Sequence, residues 1–186
     1  MAHNEYNPKD LVLVNYKLVD KREFEHFDSG NILVNHTFHT ALYYNLLTNP
    51  NYESYCLIPN AGSVIIGFFS ISKSTEFELA KGYEFVKDFS YVKIDWFGVD
   101  QKYHYAPNHP GYGKHLMYHA LKTILANYPD TEIICLEAKD DAIVAYESYG
   151  FSMIEDAIVD GGADMFLVAE AANLYIAKYE SNLNPF

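Results

Sequence analysis

The stretch 91–125 constrains this chain more than any other: YVKIDWFGVD, then QKYHYAPNHP, then GYGKHLMYHALKTIL. Its first part is dense in β-branched and aromatic residues, has no Gly or Pro before Gly98, and reads as a strand. In its last part Gly113, Leu116, Met117, Ala120, Leu121, Ile124 and Leu125 recur at three- and four-residue steps. That period predicts a helix with Lys114, His115, His119 and Lys122 on its other faces. Gly111-Tyr112-Gly113 closes the loop between strand and helix. Such a turn can hold a phosphate, because first-turn N–H groups lack helical partners and glycine lets an anion approach the backbone. The spacing therefore predicts a phosphate-bearing ligand here.

Two common nucleotide signatures do not fit. Gly113-Lys114 is followed by His115, which breaks the triphosphate loop G-x-x-x-x-G-K-[ST]. Leu116 stands where the dinucleotide fingerprint G-x-G-x-x-G needs its third glycine. Residues 108–113 (NHPGYG) instead resemble R/Q-x-x-G-x-G/A, the acetyl-CoA loop of the GNAT superfamily of N-acetyltransferases. Downstream, EIICLEA (132–138) looks like that family's next strand. DDAIVAYESYGF (140–151) is similar to its A-x-x-x-Y-x-x-x-G-F segment, with Tyr146, Gly150 and Phe151 in register. In the N-terminal half, HFDSGN (26–31), Thr40-Ala41-Leu42 and IIGFFSIS (65–72) look like segments of the acetylating toxins of toxin–antitoxin pairs, as does AKDDAIVAYESYGF (138–151). The GYGKHLM turn locally resembles lysine acetyltransferases that act on proteins.

The resemblance implies acetyl-CoA as co-substrate and no metal. It assigns the pyrophosphate to Asn108 and the N–H groups of Gly111, Tyr112, Gly113 and Lys114, and the pantetheine arm to the backbone of Phe97, Gly98 and Val99. In the family the N–H at the Phe97 position polarises the acetyl carbonyl, and the tyrosine at the Tyr146 position protonates the leaving thiolate. Tyr146 also falls on a helical stripe with Ala142, Ala145 and Tyr149, so a packed core tyrosine is the competing reading. Asp95 and Glu137 are the two candidates for the base. The chain departs from the family at Asn108 (usually Arg or Gln), His109 (often Gly) and Lys139 (often Asn). Lys93 stands where protein-lysine acetyltransferases usually carry a glutamate.

Around this centre the chain reads β-α-α-β-β-β-α-β-α-β-β with a helical tail at 169–186. The expected fold is α/β (α+β), a GNAT-like mixed sheet of about seven strands flanked by helices. Residues 11–19 are the first strand, Asp20 to Glu23 a capping box, and 52–59 with 63–72 a hairpin around Asn60-Ala61-Gly62. Residues 1–186 fit a single domain, and the tail packs on it or on a second subunit in a homodimer. No apolar run reaches the ~20 residues of a membrane span, and MAHNEYNPKD is no signal peptide. Cys56 and Cys135 lack a CxxC partner and suit buried thiols of a reduced, cytoplasmic protein. His36/His39 and His115/His119 sit at helical spacings without a further ligand set, so solvated faces are expected and no metal.

Charge bears on the acceptor. Thirteen Lys and Arg against 25 Asp and Glu give −12. Lys21-Arg22 is the one adjacent basic pair. A chain of this kind repels a nucleic-acid backbone and draws in a protonated amine. This argues for a small or peptidic primary amine and against nucleic acid. An aminoacyl-tRNA amine, as in the toxins, is the alternative acceptor, and a non-catalytic acyl-CoA-binding module the alternative class.

Overall fold

The computed structural model describes residues 6–36, 39, 51–74, 90–104, 111–159 and 161–183. Seven strands form one sheet in the order β1-β2-β3-β4-β5-β7-β6. They are β1 (Leu11–Asn15), β2 (Tyr52–Pro59), β3 (Gly67–Ser74), β4 (Tyr91–Val99), β5 (Ile133–Lys139), β6 (Ser152–Val159) and β7 (Gly162–Val168). The described helices are α1 (Lys21–Glu25), α2 (Ile32–His36), α3 (Tyr112–Asn127), α4 (Ile143–Ser148) and α5 (Ala169–Leu183). β1 pairs antiparallel with β2, β4 parallel with β5, and β7 antiparallel with both β5 and β6, so the sheet is mixed as expected. The chain forms two compact units, and the boundary passes within β3, within β4 and within α3.

The first unit holds residues 1–71 and 96–119. Its core gathers Tyr16, Phe24, Phe27, Cys56, Ile65 and Phe68, with Val34 and Trp96 packed against it. Two sequence expectations are corrected here. The first strand ends at Asn15, whose side chain accepts from Lys17 N–H and opens a 3-10 turn over Tyr16–Leu18. A local side-chain acceptor thus competes with the ladder. Likewise β3 begins at Gly67, although Ile66 N–H already reaches Leu57 O at 2.9 Å. Asp20 caps α1 through Arg22 N–H, while the Glu23 carboxylate accepts from the Ser63 hydroxyl at 2.8 Å.

His115 departs from the expected solvated face. It is 4% exposed, in a run with buried Leu116, Met117 and Tyr118. Consecutive buried positions mean α3 is enclosed over a wider arc than its apolar stripe predicts. The polar ring is accommodated by its neighbour one turn on: His115 Nε2 and His119 Nε2 lie 3.1 Å apart, one ring donating to the other. Burial, with the His119 charge adding to it, lowers the His115 pKa to about 4. A base depressed in the folded state binds its proton more readily when unfolded. Stability is therefore lost as pH falls from the ordinary histidine range towards about 4. Urea melts between pH 7 and 4 should show this loss with a slope of up to about 1.4 kcal/mol per pH unit. His115→Gln should flatten the slope over that range; an unchanged slope contradicts the assignment.

The second unit holds residues 72–95 and 120–186. Val92 and Ile94, Ile134, Leu136 and Ala138, and Ala163, Met165 and Leu167 form its buried sheet face. Lys93, Glu137, Lys139 and Asp164 alternate onto the other. Gly162 permits the tight β5–β7 approach, since a Cβ there would lie 2.7 Å from Ala138 O. The tail is helical as read, and Lys122 Nζ meets Glu180 Oε1 at 2.8 Å. Among the described residues no helix is long and apolar enough to cross a membrane.

Candidate active site

The glycine turn opens α3 as the sequence predicts. Gly111 has φ +73°, which favours glycine, and its carbonyl accepts the first helical bond from His115 N–H at 3.0 Å. The N–H groups of Tyr112, Gly113 and Lys114 therefore lie in the first turn of a 16-residue helix. No acidic side chain occupies that turn, so an anion meets no competing carboxylate from the helix itself. Gly111 and Gly113 are half-buried and Lys114 is exposed. For Tyr112 the cradle expectation concerns its N–H alone. Its ring is buried beside Tyr103, and its hydroxyl accepts from Tyr6 N–H and donates to Tyr6 O, each at 2.8 Å. Asn108 lies outside the described residues.

The far end of β4 joins this turn within the first unit. The β4–β5 ladder runs from Tyr91↔Ile133 to Ile94↔Leu136, and Phe97, Gly98 and Val99 lie past its last pair. Gly67 on β3 is the junction: a Cβ there would meet Gly98 O at 2.9 Å, Leu116 Cδ2 at 3.0 Å and Val99 Cγ2 at 3.5 Å. The strand end and α3 are thus packed together because Gly67 leaves the room. Gly98 makes a close approach of its own. A Cβ on it would meet Phe68 at 3.2 Å and Ser29 and Val34 at 3.6 Å. Gly67 was not among the expected site residues; a glycine inside an otherwise apolar strand was the available signal.

In the second unit Tyr146 is 8% exposed on α4, with the rings of Tyr149 and Phe151 each 6.0 Å away. It packs as a stripe tyrosine, and its hydroxyl is the group to which the resemblance assigns the acid role. Burial first, then Tyr149 and Asp141, push its pKa above the ordinary tyrosine value, so it holds its proton throughout the neutral range. Of the two base candidates, Asp95 is the less exposed. Burial raises its carboxyl, opposed by a hydrogen bond from Ser72 and by Lys93, and its Oδ2 has no hydrogen-bond partner among the described residues. Glu137 is exposed, 3.6 Å from Lys139 Nζ. Among the described residues no three His, Cys, Asp or Glu side chains are grouped to hold a metal ion.

No protein-family model matches the chain, and no curated protein sequence does. Solved structures do match it. A tyrosine mutant of the AtaT toxin, bound to acetyl-CoA and the C-terminus of the antitoxin AtaR, is 19% identical with a TM-score of 0.70, over 89% of this chain and 97% of that one. AtaTR bound with acetyl-CoA gives 19% and 0.69, over 89% and 98%. The KacTA–DNA complex gives 16% and 0.66, over 90% and 99%. The chain has the fold of these structures, built on a mixed seven-stranded sheet.

Proposed function

We propose that the chain is an acetyl-CoA-dependent N-acetyltransferase of the toxin type, whose acceptor is the amino group of an aminoacyl-tRNA. The observation that carries this reading is the fold match across nine-tenths of the chain to a toxin holding acetyl-CoA. The toxin-like segments 26–31 and 65–72 support it. Because that neighbour is bound to its antitoxin, an antitoxin partner belongs to the reading.

Acetyl-CoA supplies a thioester carbonyl open to attack by an amine. The first-turn N–H groups at 111–114 hold the anionic end, and the backbone at Phe97–Val99 aligns the arm. The N–H of Phe97 is assigned to the acetyl oxygen, a donor worth about 3 kcal/mol as charge develops. Asp95, made more basic by burial, takes the proton that leaves the attacking amine. The C–N bond forms, the C–S bond breaks, and Tyr146 gives its proton to the departing thiolate.

The net charge of −12 favours a second reading, in which a small or peptidic amine is the acceptor. Labelled acetyl-CoA offered with charged tRNA, polyamines, amino acids and peptides at two salt concentrations separates them. On the toxin reading the aminoacyl amine is labelled fastest and the rate falls steeply with salt, as phosphate contacts require. Faster labelling of a small amine or peptide, with charged tRNA left unlabelled, establishes the second reading.

A further inference from the structure

The segment HFDSGN is absorbed by no step above, yet in the first unit it is bonded to the residues that follow β4. Asp28 is its centre. Its carboxylate accepts from Gly30 N–H at 2.8 Å, from Asn35 Nδ2 and from Gln101 Nε2. Its backbone is tied to the same place: Gln101 N–H donates to Asp28 O at 2.6 Å, and Asp28 N–H donates to Asp100 Oδ2 at 3.2 Å. Asp100 is 1% exposed; its N–H donates to Ile66 O at 2.9 Å and its Oδ1 accepts from Lys102 N–H at 2.9 Å. Lys102 Nζ spans Asp100 Oδ2 and His26 O. Next to this knot, Gly98 lies against Ser29, Val34 and Phe68, so the loop bears directly on the strand end.

We propose that Asp28 is a positioning residue, which through Gln101 and Asp100 fixes the backbone of Phe97, Gly98 and Val99 where the thioester is to be held. The inference rests on the acetyltransferase reading and adds to it which residue sets the geometry of the strand end. Asp28 does this by shape rather than by charge alone. The Gly30 and Asn35 donors keep its carboxyl ionised below the usual aspartate range, with three donors around it. An asparagine there can accept from Gly30 and Asn35 and donate to the Gln101 amide once that group turns over. An alanine can do neither. A misplacement of the reacting groups by about 1 Å is enough to cost a hundredfold in rate.

Three variants, assayed well below their melting temperatures, test this. Asp28→Ala should lower kcat about tenfold or more with a smaller rise in KM for acetyl-CoA, since the arm's strand end is loosened while the phosphate turn is untouched. Asp28→Asn should restore most of kcat. Gln101→Ala, at an exposed position, should shift kcat in the direction of Asp28→Ala. In the free protein, amide exchange at residues 97–99 should be about tenfold faster in Asp28→Ala than in the wild type or Asp28→Asn. Unchanged kcat and exchange in Asp28→Ala overturn the proposal. So does an equal loss of kcat in Asp28→Asn, which means the charge acts directly. A wild type that transfers no acetyl group, with exchange still faster in Asp28→Ala, overturns the acetyltransferase reading and leaves Asp28 an anchor of the strand end only.

Discussion

Replacing Tyr146 by phenylalanine should lower acetyl-transfer turnover about a hundredfold or more and leave the fold intact. The ring stays, so its packing beside Tyr149 and Phe151 and its place in the α4 stripe are kept. What is lost is the proton. A phenol pushed up by burial carries that proton at every pH at which the enzyme is assayed, so the wild type shows no loss of activity from this group on the acid side. The variant should still melt cooperatively and still respond to acetyl-CoA. Tyr149→Phe is the control: its ring is equally buried, 6.0 Å from Tyr146 and 6.0 Å from Tyr175, and it should keep near-wild-type turnover. Steady-state kcat for the three proteins checks this, and equal rates return Tyr146 to the core stripe.

Gly111→Glu abolishes the response to acetyl-CoA. In the wild type, acetyl-CoA at a hundredfold excess over its dissociation constant adds about 2.7 kcal/mol, a rise of roughly 5–10 °C in Tm for a chain of this size. Three effects act at position 111. At φ +73° a side chain is strained by about 1–2 kcal/mol. Space is adequate, because the nearest atom to a Cβ there is the flexible Lys114 side chain at 3.6 Å. A carboxylate at a helix N-terminus adds about 0.3–1 kcal/mol of stability, which offsets part of the strain. The unliganded Tm should therefore fall only slightly, while the new charge occupies the phosphate's place. A variant whose Tm still climbs with acetyl-CoA places the pyrophosphate elsewhere.

The strand–turn–helix at 91–125 was legible because each part of it is written locally. Period, glycines and the break between them all act over a few residues. The order of elements along the chain and the helical tail followed from the same kind of signal and from resemblance. What was not legible depends on residues far apart in the chain. Asp28 and Asp100 meet across the first unit, and neither position carries a pattern that announces the other. Gly67 looks like a weak point in a strand until Gly98 O is placed against it. His115 lies off the apolar stripe, and only the enclosure of α3 makes it a buried, neutral ring. Tyr112 was read only for its N–H between two glycines, and nothing in that spacing announces that its side chain holds Tyr6. The acceptor depends on where charges lie in three dimensions, and a net charge averages over that.

Release of free CoA from acetyl-CoA in the presence of charged tRNA and pooled amines, followed with a thiol reagent, tests the account most directly. The acetyltransferase reading predicts steady thiol release that needs an amine acceptor, falls about a hundredfold in Tyr146→Phe and is absent in Gly111→Glu. Thiol release no faster than in protein-free buffer, from a wild type whose Tm still rises with acetyl-CoA, contradicts catalysis and leaves a module that binds the cofactor without using it.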